Sequence, residues 1–350
     1  MGMIKRCEFY ATIFCASFLI YVYPFEVIRY LIQGNTKSAI YLFVLTIIST
    51  LLVIYYLQSS STFLPIKLFV YEGMGLGFIS FWIVSFALLM NTWLSFPSDL
   101  IGYTSISIIF LIFIFSHFST KFFKVSEIKL KSNKVQKNLS IVFISDVHLG
   151  SNSQHHLRRI TVKIDKINPD IVLIGGDLID SASFQISELD ILRELSAKIY
   201  FVTGNHEYYL KNTRKILYEL KEREIEFLDN RNVYFEQLNI IGISDNTLHD
   251  EKISLINTLS ENNKFNICMV HQPSIWDDVS KNIDIMLSGH THKGQIFPFN
   301  FLVKLKFKYI YGEYKLANGT LFVSSGAGTW GPRMRLGSFN EIVKINLSKQ

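Results

Sequence analysis

The chain has 350 residues, 49% of them hydrophobic and only 18% charged, and its formal net charge is +6. Its mean hydropathy, +0.25, is high for a soluble protein. Residues 1–118 carry just nine Lys, Arg, Asp or Glu side chains: Lys5, Arg6, Glu8, Glu26, Arg29, Lys37, Lys67, Glu72 and Asp99. This split excludes a disordered chain and a single globular domain, and leaves an apolar third followed by a polar two-thirds large enough for its own core.

Four apolar runs, at residues 9–31, 39–57, 73–94 and 101–118, are each long enough to cross a bilayer as a helix. A cleaved signal peptide does not fit, because more spans follow and Glu26 and Arg29 stand where small residues would be cut. Those two are spaced i,i+3 and can pair on a helix near the membrane face. An even number of spans puts both ends on one side. Lys5, Arg6 and Lys67 share that side with six lysines (121, 124, 129, 131, 134 and 137), whereas the loop 91–99 has no basic residue and Lys37 alone is discordant. This bias predicts a multi-pass protein of the cell membrane with its polar part in the cytoplasm.

The six lysines have Glu127 as their one acid, and read as a basic juxtamembrane linker or as a patch for anionic lipid. The pI near 9.0 does not indicate nucleic acid, since no basic surface interleaved with aromatics occurs in 138–350. Three cysteines, Cys7, Cys15 and Cys268, suggest no disulfide framework. The expected organisation is a transmembrane region of about four helices at 1–120, the linker at 121–138 and one domain at 139–350.

From residue 139 the period changes. Runs at 141–144, 171–174 and 199–202 read as buried strands, with helical patterns at 157–167, 186–195 and 213–221 between them. Later apolar runs fall at 238–243, 265–270, 283–287, 320–323 and 342–345. The alternation predicts an α/β domain, two sheets packed as a sandwich with helices outside.

Five strands run into polar clusters: Asp146-Val147-His148, Gly176-Asp177-Leu178-Ile179-Asp180, Gly204-Asn205-His206-Glu207, His271 and Gly289-His290-Thr291-His292. The carboxyl ends of such strands converge on one crevice. In extended backbone, residues i and i+2 point the same way, so Asp146 and His148 can reach one ion, and His290 and His292 can serve adjacent ions. Mixed carboxylate, amide and imidazole ligands suit Mn, Fe or Zn. Seven ligands (Asp146, His148, Asp177, Asn205, His271, His290 and His292) exceed one tetrahedral site and fit two divalent ions sharing a carboxylate, an arrangement suited to displacement at phosphorus.

The blocks D-x-H, G-D-x-x-D, G-N-H-E, H and G-H-x-H, in this order, form the signature of the calcineurin-like metallophosphoesterase superfamily, which residues 139–350 resemble. The stretch 326–335, GAGTWGPRMR, resembles the C-terminal motif of a membrane-associated bacterial branch, the YkuE/YaeI-like phosphodiesterases. The resemblance implies a four-layer αββα sandwich. It implies one ion on Asp146, His148 and His292, another on Asn205, His271 and His290, and Asp177 bridging them. A hydroxide between the ions would attack phosphorus, with His206 as general acid, turned to the substrate side and oriented by Asp180. Glu207 completes the motif without an assigned role.

The sequence departs from the phosphoprotein-phosphatase branch, which has Arg after G-D-x-x-D where Ser181 stands here. Arg333 and Arg335 are the candidates to bind a phosphate oxygen in its place. His155 and His156 lie outside the motifs and read as solvated. The expected activity is hydrolysis of a phosphodiester or pyrophosphate near the bilayer, such as a lipid-linked phosphate. One alternative is a UDP-2,3-diacylglucosamine-type pyrophosphatase. An alternative of another class is an inactive binding scaffold, or a regulatory domain of a membrane sensor. The partners implied are the substrate and the lipid bilayer, with neither nucleic acid nor an obligate protein partner.

Overall fold

The computed structural model describes residues 3–59, 63–181 and 184–350. It contains two compact units, residues 1–118 with 331–334, and residues 119–330 with 335–350.

The first unit is helical. Helix α1 (Met3–Ser17) passes through a π-turn at Phe18–Val22 into α2 (Tyr23–Gln33), followed by α3 (Ala39–Gln58), α4 (Leu64–Leu94) and α5 (Ser98–Ser119). The π-turn lies just before Pro24, which has no N–H to continue the α-helical ladder. Four helices, Cys7–Gln33, Ala39–Gln58, Leu64–Leu94 and Ser98–Ser119, are long and apolar enough to cross a membrane. The third starts earlier than the hydropathy pattern predicts, because Pro65 opens it and the helix takes in Lys67 and Glu72. Thr46, Ser49 and Thr50 return their hydroxyls to carbonyls one turn back, which satisfies those three donors within the helix. Gly77 lets α4 reach the π-turn, since a Cβ there would lie 2.0 Å from the Ile20 carbonyl oxygen. Glu26 and Arg29 form the expected pair, with both carboxylate oxygens held at 2.7 and 2.9 Å.

The second unit contains, in chain order, β1 (Phe123–Ser132), β2 (Leu139–Ile144), α6 (Gln154–Ile167), β3 (Ile171–Gly175), β4 (Lys198–Val202), α7 (Thr213–Lys221), β5 (Ile225–Phe227), β6 (Arg231–Phe235), β7 (Leu238–Ile243), α8 (His249–Leu259), β8 (Phe265–Val270), α9 (Trp276–Val279), β9 (Ile285–Ser288), α10 (Phe299–Lys306), β10 (Gly312–Leu316), β11 (Gly319–Val323) and β12 (Asn340–Lys349). The helical pattern at 186–195 is a 3-10 helix, Ile186–Glu194.

Two six-stranded sheets result, ordered β1-β12-β2-β3-β4-β5 and β10-β11-β9-β8-β7-β6. Strands β2 to β5 run parallel, as do β7, β8, β9 and β11, so their carboxyl ends share a direction within each sheet. One apolar core lies between the sheets, around Phe143, Leu173, Met269 and Leu287. A second lies under α6 and α7 on one side, around Ile144, Leu157 and Ile174, and a third under α8 and α9 on the other, around Ile256, Cys268 and Trp276. This is the four-layer αββα sandwich.

The basic stretch 121–138 is not a free linker. Residues Phe123–Ser132 form β1, paired parallel with β12 from Phe123↔Asn340 to Ser132↔Lys349. Ile128 is buried and Leu130 partly so, while Lys129 and Lys131 point outward along the sheet edge, where lysines discourage edge-to-edge pairing. Lys134 bonds Asp284 at 2.9 Å and Lys137 bonds Glu236 at 2.8 Å. Those two lysines make ion pairs within the second unit.

Candidate metal centre

Loops leaving the carboxyl ends of β2, β3 and β4 in one sheet and β8 and β9 in the other supply the site. Asp146, His148, Asp177, His290 and His292 all have positive φ, from 48° to 71°. Left-handed backbone costs a non-glycine residue about 1–2 kcal/mol. The spacing of two in D-x-H and H-x-H therefore does not act through extended strand, as the sequence suggested. The side chains converge because tight left-handed turns follow each strand. The turns are pinned by hydrogen bonds from Asp146 N to Gly176 O and from His148 N to Asp177 O, both 3.0 Å, and from Gly328 N to Asp146 O at 2.9 Å. Gly204 is required by close approach, because a Cβ there would lie 2.2 Å from Asp177 Oδ1.

Three groups of side chains each present ligand atoms close enough to hold a metal ion: Asp146, His148 and His292; His148, Asp177 and His206; and Asp177, His271 and His290. Asp177 belongs to two of them. The Nε2 atoms of His148 and His292 face each other at 3.1 Å, and Asp146 Oδ1 lies 3.4 Å from His292 Nε2. His271 Nδ1 donates to Gly175 O at 2.8 Å, which leaves the Nε2 lone pair turned inward, 3.1 Å from Asp177 Oδ2. Asn205 Oδ1 and His271 Nε2 are buried with no hydrogen-bond partner. Buried lone pairs converging in this way, without a donor to satisfy them, fit a cation and not an empty polar core.

The electrostatics divide the donor set: burial lowers His271 and His148, but Asp177 outweighs it at His271 and Asp180 at His148, and both imidazoles are pushed above their ordinary value. Burial pushes Asp146 up, with His271 opposing. Burial also raises Asp177, but the surrounding His271, His148 and His206 outweigh it and hold that carboxylate well below its usual range. Burial lowers His206 to about 4 and His290 to about 3, so these imidazoles stay neutral with lone pairs to offer.

Six of the seven residues expected as ligands thus fall in these clusters, while Asn205 lies in the Gly204–His206 turn with its Nδ2 donating to Tyr209 Oη at 3.2 Å. His206 does not turn away. Its Nε2 lies 3.9 Å from Asp177 Oδ2, its ring meets His148 edge-on at 4.8 Å, and its own N–H donates to Asp177 Oδ1 at 2.9 Å. Asp180 does not contact His206 as the resemblance implied. Its Oδ1 accepts from Ser151 N at 3.0 Å and its Oδ2 lies 3.4 Å from His148 Nδ1, so it faces the His148 imidazole.

Arg335 does not offer a free guanidinium to phosphate. Arg335 is fully buried, its guanidinium bound to the carbonyls of His292, Ser325, Gly326 and Gly328. Those bonds use up its fork, because the GAGTW loop needs its carbonyls satisfied. Arg333 lies in the first unit, its Nε 3.1 Å from Glu72 Oε1. His155 is exposed as expected. His156 is not solvated, since its Nε2 donates to Ala327 O at 2.7 Å and Phe123 stacks on it.

Two contributors escaped the sequence reading. Glu207 is buried and accepts three backbone N–H groups, from Asp177 (3.1 Å), Gly204 (2.7 Å) and Ile179 (3.0 Å), tying the Asp177 and Asn205 loops together. Burial beside Asp177 pushes its carboxyl up to about 7. Its place in G-N-H-E was the available signal. Trp330, half-exposed, meets the His206 ring at 5.8 Å, and its backbone is held on both sides by the Gln295 amide.

A family profile described as calcineurin-like phosphoesterase matches residues 139–294. An uncharacterized metallophosphoesterase of Campylobacter jejuni is 35% identical over 252 residues, which cover 68% of this chain and 67% of that protein. One from Helicobacter pylori is 34% identical over 64% of each chain. A protein of Danio rerio named transmembrane protein with metallophosphoesterase domain is 30% identical over 65% of this chain and 57% of its own length. About a third of each bacterial relative and more of the fish protein lies outside the match. The chain belongs to the calcineurin-like metallophosphoesterases, a family of metal-dependent phosphoric ester hydrolases.

Proposed function

We propose that this chain is a membrane-anchored phosphoesterase that holds two divalent ions, of Mn, Fe or Zn, and hydrolyses a phosphodiester or pyrophosphate, with lipid-linked phosphates as its substrate class. The observation that carries the reading is the pair of clusters Asp146–His148–His292 and Asp177–His271–His290, joined through Asp177 and His148. Ions bound there would supply positive charge for the phosphoryl oxygens and lower the pKa of bound water.

The chain's own residues do the rest. Asp177 is kept ionised by three imidazoles and stays available as a shared ligand. Asp180 and the Gly175 carbonyl fix the rings of His148 and His271. His206 is the candidate to protonate the leaving oxygen. Its side chain is 14% exposed, under Trp330 and Tyr209. Burial keeps it neutral in the resting site, and a bound phosphate's negative charge favours its protonated form. The four apolar helices and the name of the fish relative support anchoring in a membrane.

Metal analysis of the purified chain, paired with a phosphoester screen that includes lipid pyrophosphates, tests the reading. About two ions per chain are expected, falling towards none in Asp177→Ala, with hydrolysis lost alongside. One ion per chain in the fully loaded wild type contradicts the dinuclear centre. Metal loading without hydrolysis of any ester would favour the scaffold alternative.

A further inference from the structure

Helix α10 has no buried residue, which is unusual for an element in the middle of a folded domain. Its sequence, FNFLVKLK, follows Phe297-Pro298 and begins soon after the ligand His292. Leu305 is 84% exposed and Phe301 56%, with Phe297 and Leu302 also more than half exposed. Elsewhere in the second unit the exposed large apolar side chains (Val162, Tyr209, Tyr218, Tyr234, Leu248 and Trp330 among them) are scattered along the chain. Here they cluster within nine positions, and the Phe297 and Phe301 rings contact each other at 5.7 Å.

Positive charge borders this apolar surface. Lys304 and Lys306 lie on the helix, and Lys293 lies behind it. Among the described residues none of the three pairs with a carboxylate, whereas nearby Lys308 is bound to Asp277; Lys293 Nζ lies 4.5 Å from the Tyr311 ring and 4.7 Å from the Phe339 ring, and Lys306 Nζ 5.3 Å from the Phe307 ring. A cleft of about 280 Å³ opens along the helix, lined by Lys293, Lys304, Asn300, Tyr311 and Tyr314 among others and by no acidic residue. Apolar side chains on a short helix with lysines at its edge are the signature of an element lying in a bilayer interface, where Phe and Leu enter the acyl boundary and Lys meets phosphate headgroups.

We infer that the segment 297–308 docks the phosphoesterase unit on an anionic bilayer surface, with Lys304 and Lys306 meeting headgroup phosphate beside the cleft. A bilayer is the occupant because the same chain carries four helices suited to one, and the unpaired charge is complementary to anionic lipid. The inference rests on those helices sitting in a membrane and is independent of which ester is cleaved.

The test uses the full chain in vesicles with Cys7→Ala and Cys15→Ala, leaving the buried Cys268. An environment-sensitive fluorophore is placed through Leu305→Cys, through Leu51→Cys on α3 as the membrane control, or through Tyr218→Cys on α7 as the aqueous control. The vesicles are phosphatidylcholine with or without phosphatidylserine, and carry a nitroxide lipid as quencher. The probe at 305 is expected to shift blue and be quenched, as at 51 and unlike 218, and more strongly with phosphatidylserine. Lys304→Glu and Lys306→Glu should each weaken the phosphatidylserine-dependent part by about fivefold. Quenching at 51 with none at 305 overturns the proposal and leaves the membrane reading intact. No quenching at either position overturns both. Quenching at 305 that ignores phosphatidylserine overturns the anionic specificity.

Discussion

His206 lies near enough to Asp177 to serve as a ligand and is open enough to reach a leaving group, and chemistry can separate the two roles. Removing a general acid typically costs about 10²–10⁴-fold in rate, and the cost shrinks when the leaving group is already a weak base. His206→Ala should therefore retain both ions, lose activity on an alkyl ester and lose much less on a p-nitrophenyl ester. Loss of metal, or equal loss on both esters, would make His206 a ligand. His156 shows the same burial effect away from the metal. Burial and nearby Arg159 lower it to about 4 from an ordinary 6.5. The unfolded chain then takes up the proton first, so this group's contribution is complete above about pH 6.5 and is lost as pH falls towards 4, by at most about 1.4 kcal/mol per pH unit. His156→Leu should flatten the acid limb of unfolding midpoint against pH. An unchanged slope would mean the ring is already protonated in the fold. That these residues gather in one place was legible in the sequence, because five polar clusters each follow an apolar strand. The way they converge was not, since a spacing of two reads alike in extended and left-handed backbone. The role of Asp180 was misplaced for a related reason: sequence proximity cannot tell which of two neighbouring imidazoles a carboxylate faces.

At the scale of elements, what the sequence hid was mostly at the edges. Strand β1 reads as a charged linker because its lysines dominate the composition, yet the alternation of Ile128 and Leu130 with Lys129 and Lys131 is that of an edge strand. Its parallel partner β12 lies more than two hundred residues away in sequence, beyond the reach of any local pattern. The loop 326–335 illustrates the converse error. Two arginines in a motif suggested phosphate binding, but Arg335 is a structural tie between that loop and the backbone of His292. Lysine carries no planar fork and cannot satisfy these carbonyls together. Arg335→Lys should therefore cost about 3 kcal/mol of stability by leaving buried acceptors unmet, with KM little changed in the protein that remains folded. A raised KM at unchanged stability would restore it to substrate binding. Density of carbonyl acceptors around a side chain is a property of the folded loop, and no sequence signal conveyed it.

For the whole molecule, orientation follows from counting. Four helices are long and apolar enough to cross a membrane, and if all four crossed, residue 119 would lie on the same side as residue 7. Charge would mark that side: Lys5, Arg6 and Lys67 precede or join candidate spans there, and the second unit opens with a lysine-rich strand, while the loop between α4 and α5 carries no basic residue. Lysine and arginine near span ends are retained on the cytoplasmic side. Some of the lysines after α5 are engaged in the fold, Lys134 and Lys137 in ion pairs, but in a chain inserted before it folds they would still count as charge near a span end. A reporter that works only outside the cytoplasm, fused after Gln350, should stay silent, and a cytoplasmic reporter at the same point should be active. Moving basic residues into the 95–97 loop while removing Lys5 and Arg6 should weaken that preference. A strong external signal from the unaltered chain would place the metal centre outside the cytoplasm, and would restrict its substrates to phosphoesters presented on the outer leaflet.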